Sequence, residues 1–381
     1  KSSAASDVYK RQVLDIPIES LLVKKDNVAN GDSRAAIDYI INEVANDTGY
    51  DLRETPMKIV TTIDKDVQDV LNKLEKGEIY EFPNEYMQEG IAITDMETGG
   101  LSAISGGRNY SARGTNRATT KRQPGSTAKI LFDYGPYIEY LNGSPATLFL
   151  DEETTYSNGT PIKNADGKYN GLMTMRDALA ASRNIPALRA FQAVYKENPD
   201  YIKNFVKNLG IDYGGELYES AAIGGFDGVS PVQMSAAYAA YGRGGYYIKP
   251  YSYTEATLLE NGKVYNKTSE KVKVMSEETA YMMTSLLQSS AQGGLGAQAN
   301  VGGAVFGAKT GTSNYDEATL KKYHMRDSAI NDLWVNGVSP DYAISVWYGY
   351  EKANSQYQNT SYTISHRKLF QAVAKLSLIH I

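Results

Sequence analysis

MQEGIAITDMETGGLSAISGG (87–107), VFGAKTGTS (305–313), DLWVNGVS (332–339) and YAISVWYGY (342–350) are the stretches whose reading decides the fold. The first reads as two strands around a Glu-Thr-Gly-Gly turn, an antiparallel hairpin. The other three are rich in β-branched and aromatic residues and read as three successive strands. Between them lie helical patterns: 126–141, two stretches within 172–197, 228–242 and 276–292. Strands at both ends of a chain with helices between them predict an α+β fold, an antiparallel β-sheet flanked by helices.

Working outward, STAKILFDYGPYIEYL (126–141) follows Pro124-Gly125 and reads as a helix that starts at the serine. The two stretches in 172–197 are separated near Ser182–Pro186, where the proline sets a boundary. Upstream, 34–46 carries helical spacing with Ser33 as a cap, MKIVTTI (57–63) is β-rich, and Asp64–Glu75 reads as a short amphipathic helix. Residues 13–84 are therefore read as linker and small flanking region, and 85–375 as the main domain. KSSAASDVYKRQ (1–12) and LSLIHI (376–381) resemble translated sequencing-adapter tails and are set apart from the fold.

Composition narrows the chemistry. The 381 residues contain no cysteine, which removes disulfides, thiolate zinc sites and a cysteine nucleophile. Only His324, His366 and His380 exist, so a histidine-based triad or metal cluster has little to draw on. These three read as surface or tail residues. Net charge is −5 with no long basic block, which disfavours a nucleic-acid partner. No apolar run approaches the roughly 18–20 residues that span a bilayer. Tyrosine is abundant, 30 against 8 phenylalanines, and is read as compositional bias.

Three motifs carry candidate chemistry. In Ser126-Thr127-Ala128-Lys129, serine and lysine share a helix face, and a lysine amine of lowered pKa can take a hydroxyl proton. A second Ser-x-x-Lys match, Ser365–Lys368, shows how weak that signal is alone. Ser182-Arg183-Asn184 sits at a helix break. Its serine can relay a proton, and its asparagine amide can both donate to and accept from a peptide. Lys309-Thr310-Gly311-Thr312 lies on a predicted strand. A lysine and two hydroxyls there could receive a carboxylate, and the glycine lets substrate lie against the backbone. An extended substrate could pair with that strand's edge.

The order of these motifs is that of the serine penicillin-recognising enzymes, for which this triplet is a known signature. The likeness extends to TTID (61–64), GGR (106–108), NRAT (116–119), RQPGST (122–127), MTMRDALAASRNIPAL (173–188), GGFDGVSPVQMSAAYAAYGRGGY (224–246), GAKTGTSN (307–314) and DLWVNGVSPDYAISVWYGY (332–350). Over roughly residues 55–350 the chain resembles the transpeptidase domain of class A penicillin-binding proteins. It departs from the family pattern at Ile130, where proline is common, and at Leu333 and Val335, where alanine and phenylalanine are usual.

The resemblance implies a β-lactamase/transpeptidase-like fold with an all-α subdomain beside the sheet. It implies a D,D-transpeptidase in which Lys129 activates Ser126 and Ser126 attacks a D-Ala-D-Ala stem peptide. Backbone N–H groups of Ser126 and Thr312 would form the oxyanion hole, Ser182 would pass a proton to the leaving amine, and Asn184 would hold the acyl amide. Lys309, Thr310 and Thr312 would bind the carboxylate, with Gly311 beside them. No cofactor and no metal is expected. The implied partners are peptidoglycan stem peptides and β-lactams, at the extracytoplasmic face of a bacterial plasma membrane. A glycosyltransferase domain and membrane anchor belong to full-length relatives. No histidine precedes His324, so that domain is expected to be missing here. A D,D-carboxypeptidase, a β-lactamase, a non-catalytic β-lactam sensor and a structural wall-binding module are the rivals. A β-lactamase needs a carboxylate that activates water. Glu219 stands at a suggestive distance, but position 223 of the expected Glu-x-x-x-Asn is Ile223.

Overall fold

The computed structural model describes residues 32–301, 306–360 and 363–379. Six strands build the central sheet: β1 (Met87–Asp95), β2 (Leu101–Ser105), β3 (Gly307–Asn314), β4 (Ala329–Val338), β5 (Tyr342–Tyr350) and the short β6 (Asn359–Thr360), which pairs with the start of β4 off the main path. Their spatial order is β3-β4-β5-β1-β2, all antiparallel. The N-terminal hairpin thus docks on the C-terminal one, with Tyr342 opposite Asp95 and Tyr350 opposite Met87. β3 is left at the edge of this path.

The central strands are buried on both faces, which is why YAISVWYGY shows no apolar-polar alternation. Leu333, Val335, Ile344, Val346 and Tyr348 face one way. Helix α2 (Lys65–Glu75) and the C-terminal helix α9 (Ser365–Ile379) cover them through Val67, Leu71, Leu74, Leu369, Phe370 and Val373. Trp334, Ala343 and Trp347 face the other way, into the helical part. The stretch that forms α9 had drawn notice only for its Ser-x-x-Lys match, yet its Leu369, Phe370, Val373 and Ala374 are fully buried. His366 is buried with them rather than lying on the surface, and burial pushes its imidazole pKa down to about 3. His380 and residues 1–12 lie outside the described residues.

The helical part comprises α3 (Gly135–Leu141), α4 (Met175–Ala180), α5 (Asn184–Glu197), α6 (Pro199–Asn208), α7 (Pro231–Gly242) and α8 (Glu277–Gly293), sharing one core. Local chemistry explains the helix starts. Ser230 and Gln233 form a capping box on α7, with Pro231 in the first turn. Asp64 caps α2 by accepting from the N–H groups of Asp66 and Val67. Ser33 does not cap helix α1 (Arg34–Thr48) as expected. Its φ is 62°, and its hydroxyl donates to Asn72 Oδ1 at 3.2 Å.

The flanking region is completed from far along the chain. Met57–Thr61 pairs with Tyr253–Leu258, which also pairs with Val264–Asn266. A two-stranded ribbon, Leu148–Asp151 with Gly171–Thr174, forms the arms of a 148–174 excursion that the sequence reading left without strands before residue 172.

Candidate active site

The segment expected as one helix from Ser126 is irregular. Gly125–Ala128 forms a 3-10 turn, Ile130–Tyr134 a π turn, and α3 follows. Pro136 lacks an N–H and its ring crowds the carbonyl four residues back, so a widened turn just before it is the expected response. Two hydroxyls from α7 support this segment. Tyr238 donates to Thr127 O at 2.9 Å and Tyr241 to Ile130 O at 2.5 Å. These tyrosines were passed over as composition; their three-residue spacing on an Ala-rich helix was the available signal. Trp334 pins the upstream loop by donating from Nε1 to Gln123 O at 2.9 Å.

Ser126 sits partly exposed on the 3-10 turn, squeezed between two backbones. A Cβ on Gly125 would stand 2.1 Å from Thr312 O, and one on Gly224 would stand 2.5 Å from Gly125 N. A Cβ on Gly311 would stand 2.3 Å from Pro124 O. Gly311 therefore makes room for the Ser126 turn itself, a use the motif reading, which reserved that space for substrate, did not anticipate.

Ser182 adopts φ 55°. The cause is a Schellman ending to α4: Arg183 N–H donates to Ala178 O at 2.9 Å and Ser182 N–H to Leu179 O at 3.0 Å. The helix break belongs to Ser182, not to Pro186, which sits without penalty in the first turn of α5. A non-glycine residue in the left-handed region stores about 1 kcal/mol of strain, which clusters at functional sites.

This turn presents oxygens to Lys129. Its Nζ donates to Ser182 O (2.7 Å), Arg183 O (3.0 Å) and Asn184 Oδ1 (2.8 Å), with Ser182 Oγ at 3.5 Å. Lys309 Nζ approaches from β3 and donates to Ser182 Oγ at 2.7 Å and to Thr310 O at 3.0 Å. Both amines are fully buried. Burial pulls Lys129 down to about 7, and burial with the nearby Lys129 charge holds Lys309 well below the usual lysine range.

The structure thus joins Lys129, Ser182, Asn184 and Lys309 in one hydrogen-bonded chain. Ser126 Oγ is not among the partners of Lys129 Nζ, contrary to the expected serine–lysine pairing. Three carbonyl-type oxygens outcompete a neutral hydroxyl for a buried cationic amine. Thr310 is buried and Thr312 exposed on the same strand. Lys309 turns inward to Ser182 instead of offering its amine at the surface. Glu219 is committed elsewhere, accepting from Ser157 N and Oγ, both at 2.7 Å, and from Gln192 Nε2 at 2.8 Å. Ile130, Leu333 and Val335, the departures from the family pattern, are all in buried cores.

Sequence reasoning missed the residues behind Ser182-Arg183-Asn184. The Arg183 guanidinium turns away from the cleft and donates to Asp151 Oδ2 at 2.8 Å and to Asp166. Asn164 Oδ1 accepts from Asn184 N–H at 2.7 Å. Nothing in motif spacing points to them, because they lie upstream of helix α5 in the 148–174 excursion, outside all three motifs.

Known proteins share this architecture. The penicillin-binding protein PonA1 from Mycobacterium tuberculosis superposes with a TM-score of 0.79 at 20% identity, covering 92% of this chain and 93% of that one. Penicillin-binding protein 1A from Haemophilus influenzae gives 0.62 at 21% identity, over 77% of this chain and 48% of that one. By sequence, penicillin-binding protein 1A/1B of Bacillus subtilis is 39% identical over 320 residues, 83% of this chain and 34% of its own length. Penicillin-binding protein 1A of Streptococcus pneumoniae is 34% identical over 82% of this chain and 45% of its own length. The chain thus spans a third to just under half of these curated relatives. Among the described residues no helix is long and apolar enough to cross a membrane. The family model for the penicillin binding protein transpeptidase domain matches residues 90–371. On that match, and on the fold and the three converging motifs, the chain belongs to the penicillin-binding protein transpeptidase family.

Proposed function

We propose that this domain is a serine D,D-transpeptidase that forms an acyl-enzyme on Ser126 from D-Ala-D-Ala stem peptides and passes the acyl group to an acceptor amine. The observation that carries the reading is the chain Lys309–Ser182–Lys129–Asn184 beside the Ser126 turn. With three hydrogens committed to oxygen acceptors, Lys129 is held as an ammonium. A pKa near 7 makes loss of one proton inexpensive, and the neutral amine then has a lone pair for the Ser126 hydroxyl.

Ser126 Oγ attacks the peptide carbonyl, and the developing oxyanion is received by the N–H groups of Ser126 and Thr312. Asn184 is oriented for the acyl amide. Its Oδ1 must face the donor-only Lys129 and its Nδ2 donates to Lys163 O at 2.8 Å, which leaves one amide hydrogen for a substrate carbonyl. As the C–N bond breaks, Ser182 gives its proton to the departing D-Ala amine and is resupplied by Lys129, which holds the proton taken from Ser126 and reaches Ser182 Oγ at 3.5 Å, while Lys309 orients that hydroxyl. Lys309, Thr310 and Thr312 line the carboxylate end. The acceptor amine then attacks the ester and Ser126 regains its proton. Penicillin enters the same path, but its amine remains tethered after ring opening, so Ser126 stays acylated. The role is placed at the extracytoplasmic face of a bacterial plasma membrane, as the resemblance implies. The engaged state of Glu219 weighs against the β-lactamase alternative.

Incubation with a D-Ala-D-Ala stem peptide and an acceptor amine tests the reading. Release of D-Ala with an equal yield of amine adduct is expected. D-Ala release with hydrolysed peptide alone would make the protein a carboxypeptidase.

A further inference from the structure

The 148–174 excursion reaches the site from outside the three motifs. Asn184 N–H and Ile185 N–H begin helix α5 and have no acceptor within it. Arg183 at the cap position supplies none. Asn164 Oδ1 takes both, at 2.7 and 3.4 Å, and so caps α5 from another part of the chain. The Asn164 amide is itself fixed, because its Nδ2 donates to Asp151 Oδ1 at 2.7 Å and to Lys168 O at 2.9 Å. The second Asp151 oxygen accepts from Arg183 Nε at 2.8 Å and from Asn170 N–H at 3.1 Å. Asp151 is fully buried, and Asn164 and Arg183 nearly so. The Arg183 side chain is therefore gripped on one side of the backbone while its carbonyl accepts from Lys129 on the other.

We infer that Asn164 and Asp151 are positioning residues of the reaction: through Asn184 N–H and the Arg183 guanidinium they hold the strained 182–184 turn, and with it the Lys129 amine, in place beside Ser126. Neither touches Lys129 or Ser126, so neither is a catalytic residue. Without the grip, the left-handed Ser182 has reason to relax, and the three oxygens that locate Lys129 Nζ move with it. The inference rests on the acyl-transfer reading above.

The test is pre-steady-state acylation by benzylpenicillin, with the active fraction titrated separately. In Asn164→Ala the acylation rate constant per active site is expected to fall about 10–100-fold, the scale of an ångström-level misplacement. The dissociation constant for penicillin should change little. Asp151→Asn, nearly isosteric, provides the same test should the alanine variant fail to fold. It also has a pH signature. The charges facing Lys129 are Asp133 from its own segment, Arg183 and Asp151 from behind the turn, and Lys309 across Ser182. Removing the Asp151 charge takes a buried anion away from Lys129 and leaves Arg183 paired only with the more exposed Asp166, so the acid limb of the acylation profile moves to lower pH. The exchange Asn164→Asp with Asp151→Asn restores a donor–acceptor pair and should recover part of the rate.

Variants that lose only active fraction or melting temperature, with a rate constant within two-fold of wild type, overturn the inference and leave a purely structural role. Wild-type protein that takes up no penicillin at all refutes the acyl-transfer reading, and the inference falls with it. Wild-type acylation beside unchanged variants refutes the inference alone.

Discussion

Substituting Gly311 by alanine separates the Ser126 turn from the strand it rests on. The backbone at 311 is not in the left-handed region, so space alone decides the outcome. The added Cβ would stand 2.3 Å from Pro124 O, 2.9 Å from Thr127 Cγ2 and 3.0 Å from Thr127 N. A carbon and a carbonyl oxygen rest at roughly 3.3–3.6 Å, so one backbone must retreat by about 1 Å. The closest atom is main-chain and cannot swing aside. Overpacking of this kind costs about 1–3 kcal/mol. The same retreat moves Ser126 against Thr312, whose N–H is assigned to the oxyanion, and about 1 Å there corresponds to roughly 100-fold in rate. Thermal denaturation and stopped-flow acylation by penicillin, run on the same samples, read the two effects. Gly262→Ala is the control. It has φ 71° with open space around it, so it should cost about 1 kcal/mol of stability and no acylation rate. Wild-type acylation by Gly311→Ala would refute the reasoning, because the close approach would then not be what sets the geometry.

An acid pair joins the end of helix α2 to the sheet, with Glu89 fully buried and Glu75 partly so. Ser105 Oγ donates to Glu75 and, at 3.0 Å, to Glu89, and burial raises the first to about 8 and the second to about 7. Both pKa values lie above their ordinary 4.5, so the stabilisation is complete below about pH 4.5 and is lost as pH rises through about 7–8. Melting temperature should fall from pH 5 to pH 8, and Glu75→Gln should flatten that slope; an unchanged slope would count against the raised Glu75 pKa. Acylation should rise with pH through about 7, the Lys129 value. Lys129→Arg, which keeps the charge but cannot yield a lone pair, should slow acylation by roughly 10²–10⁴-fold in penicillin-labelling time courses. Trp334→Phe removes the donor to Gln123 O and should cost about 1 kcal/mol in chemical denaturation.

Much of the sheet was legible because its strands are buried on both faces, and continuous β-branched and aromatic runs such as YAISVWYGY have few other uses. Motif order foretold that residues of the three motifs would meet, and Lys129, Ser182, Asn184 and Lys309 do. The detail of their contacts was not legible. A three-residue spacing promises a shared face only in regular helix, and the segment here passes from 3-10 to π geometry at Lys129. The αL turn at Ser182 then supplies better acceptors than the serine hydroxyl. Likewise, Arg183 read as the indifferent middle residue of its motif, since its partners Asp151, at the end of a four-residue strand, and Asp166, in the following loop, lie outside all three motifs. Helix α9 was overlooked because its apolar residues, Leu369, Phe370, Val373 and Ala374, form a short stripe that matters only once a sheet face is there to receive it.

Intact-mass measurement after exposure to benzylpenicillin addresses the central claim most directly. The wild-type chain should gain one antibiotic mass, mapped by fragmentation to the peptide containing Ser126, and Ser126→Ala should gain none. A full adduct on Ser126→Ala, or an adduct mapped to Ser182, would contradict the assignment of the nucleophile.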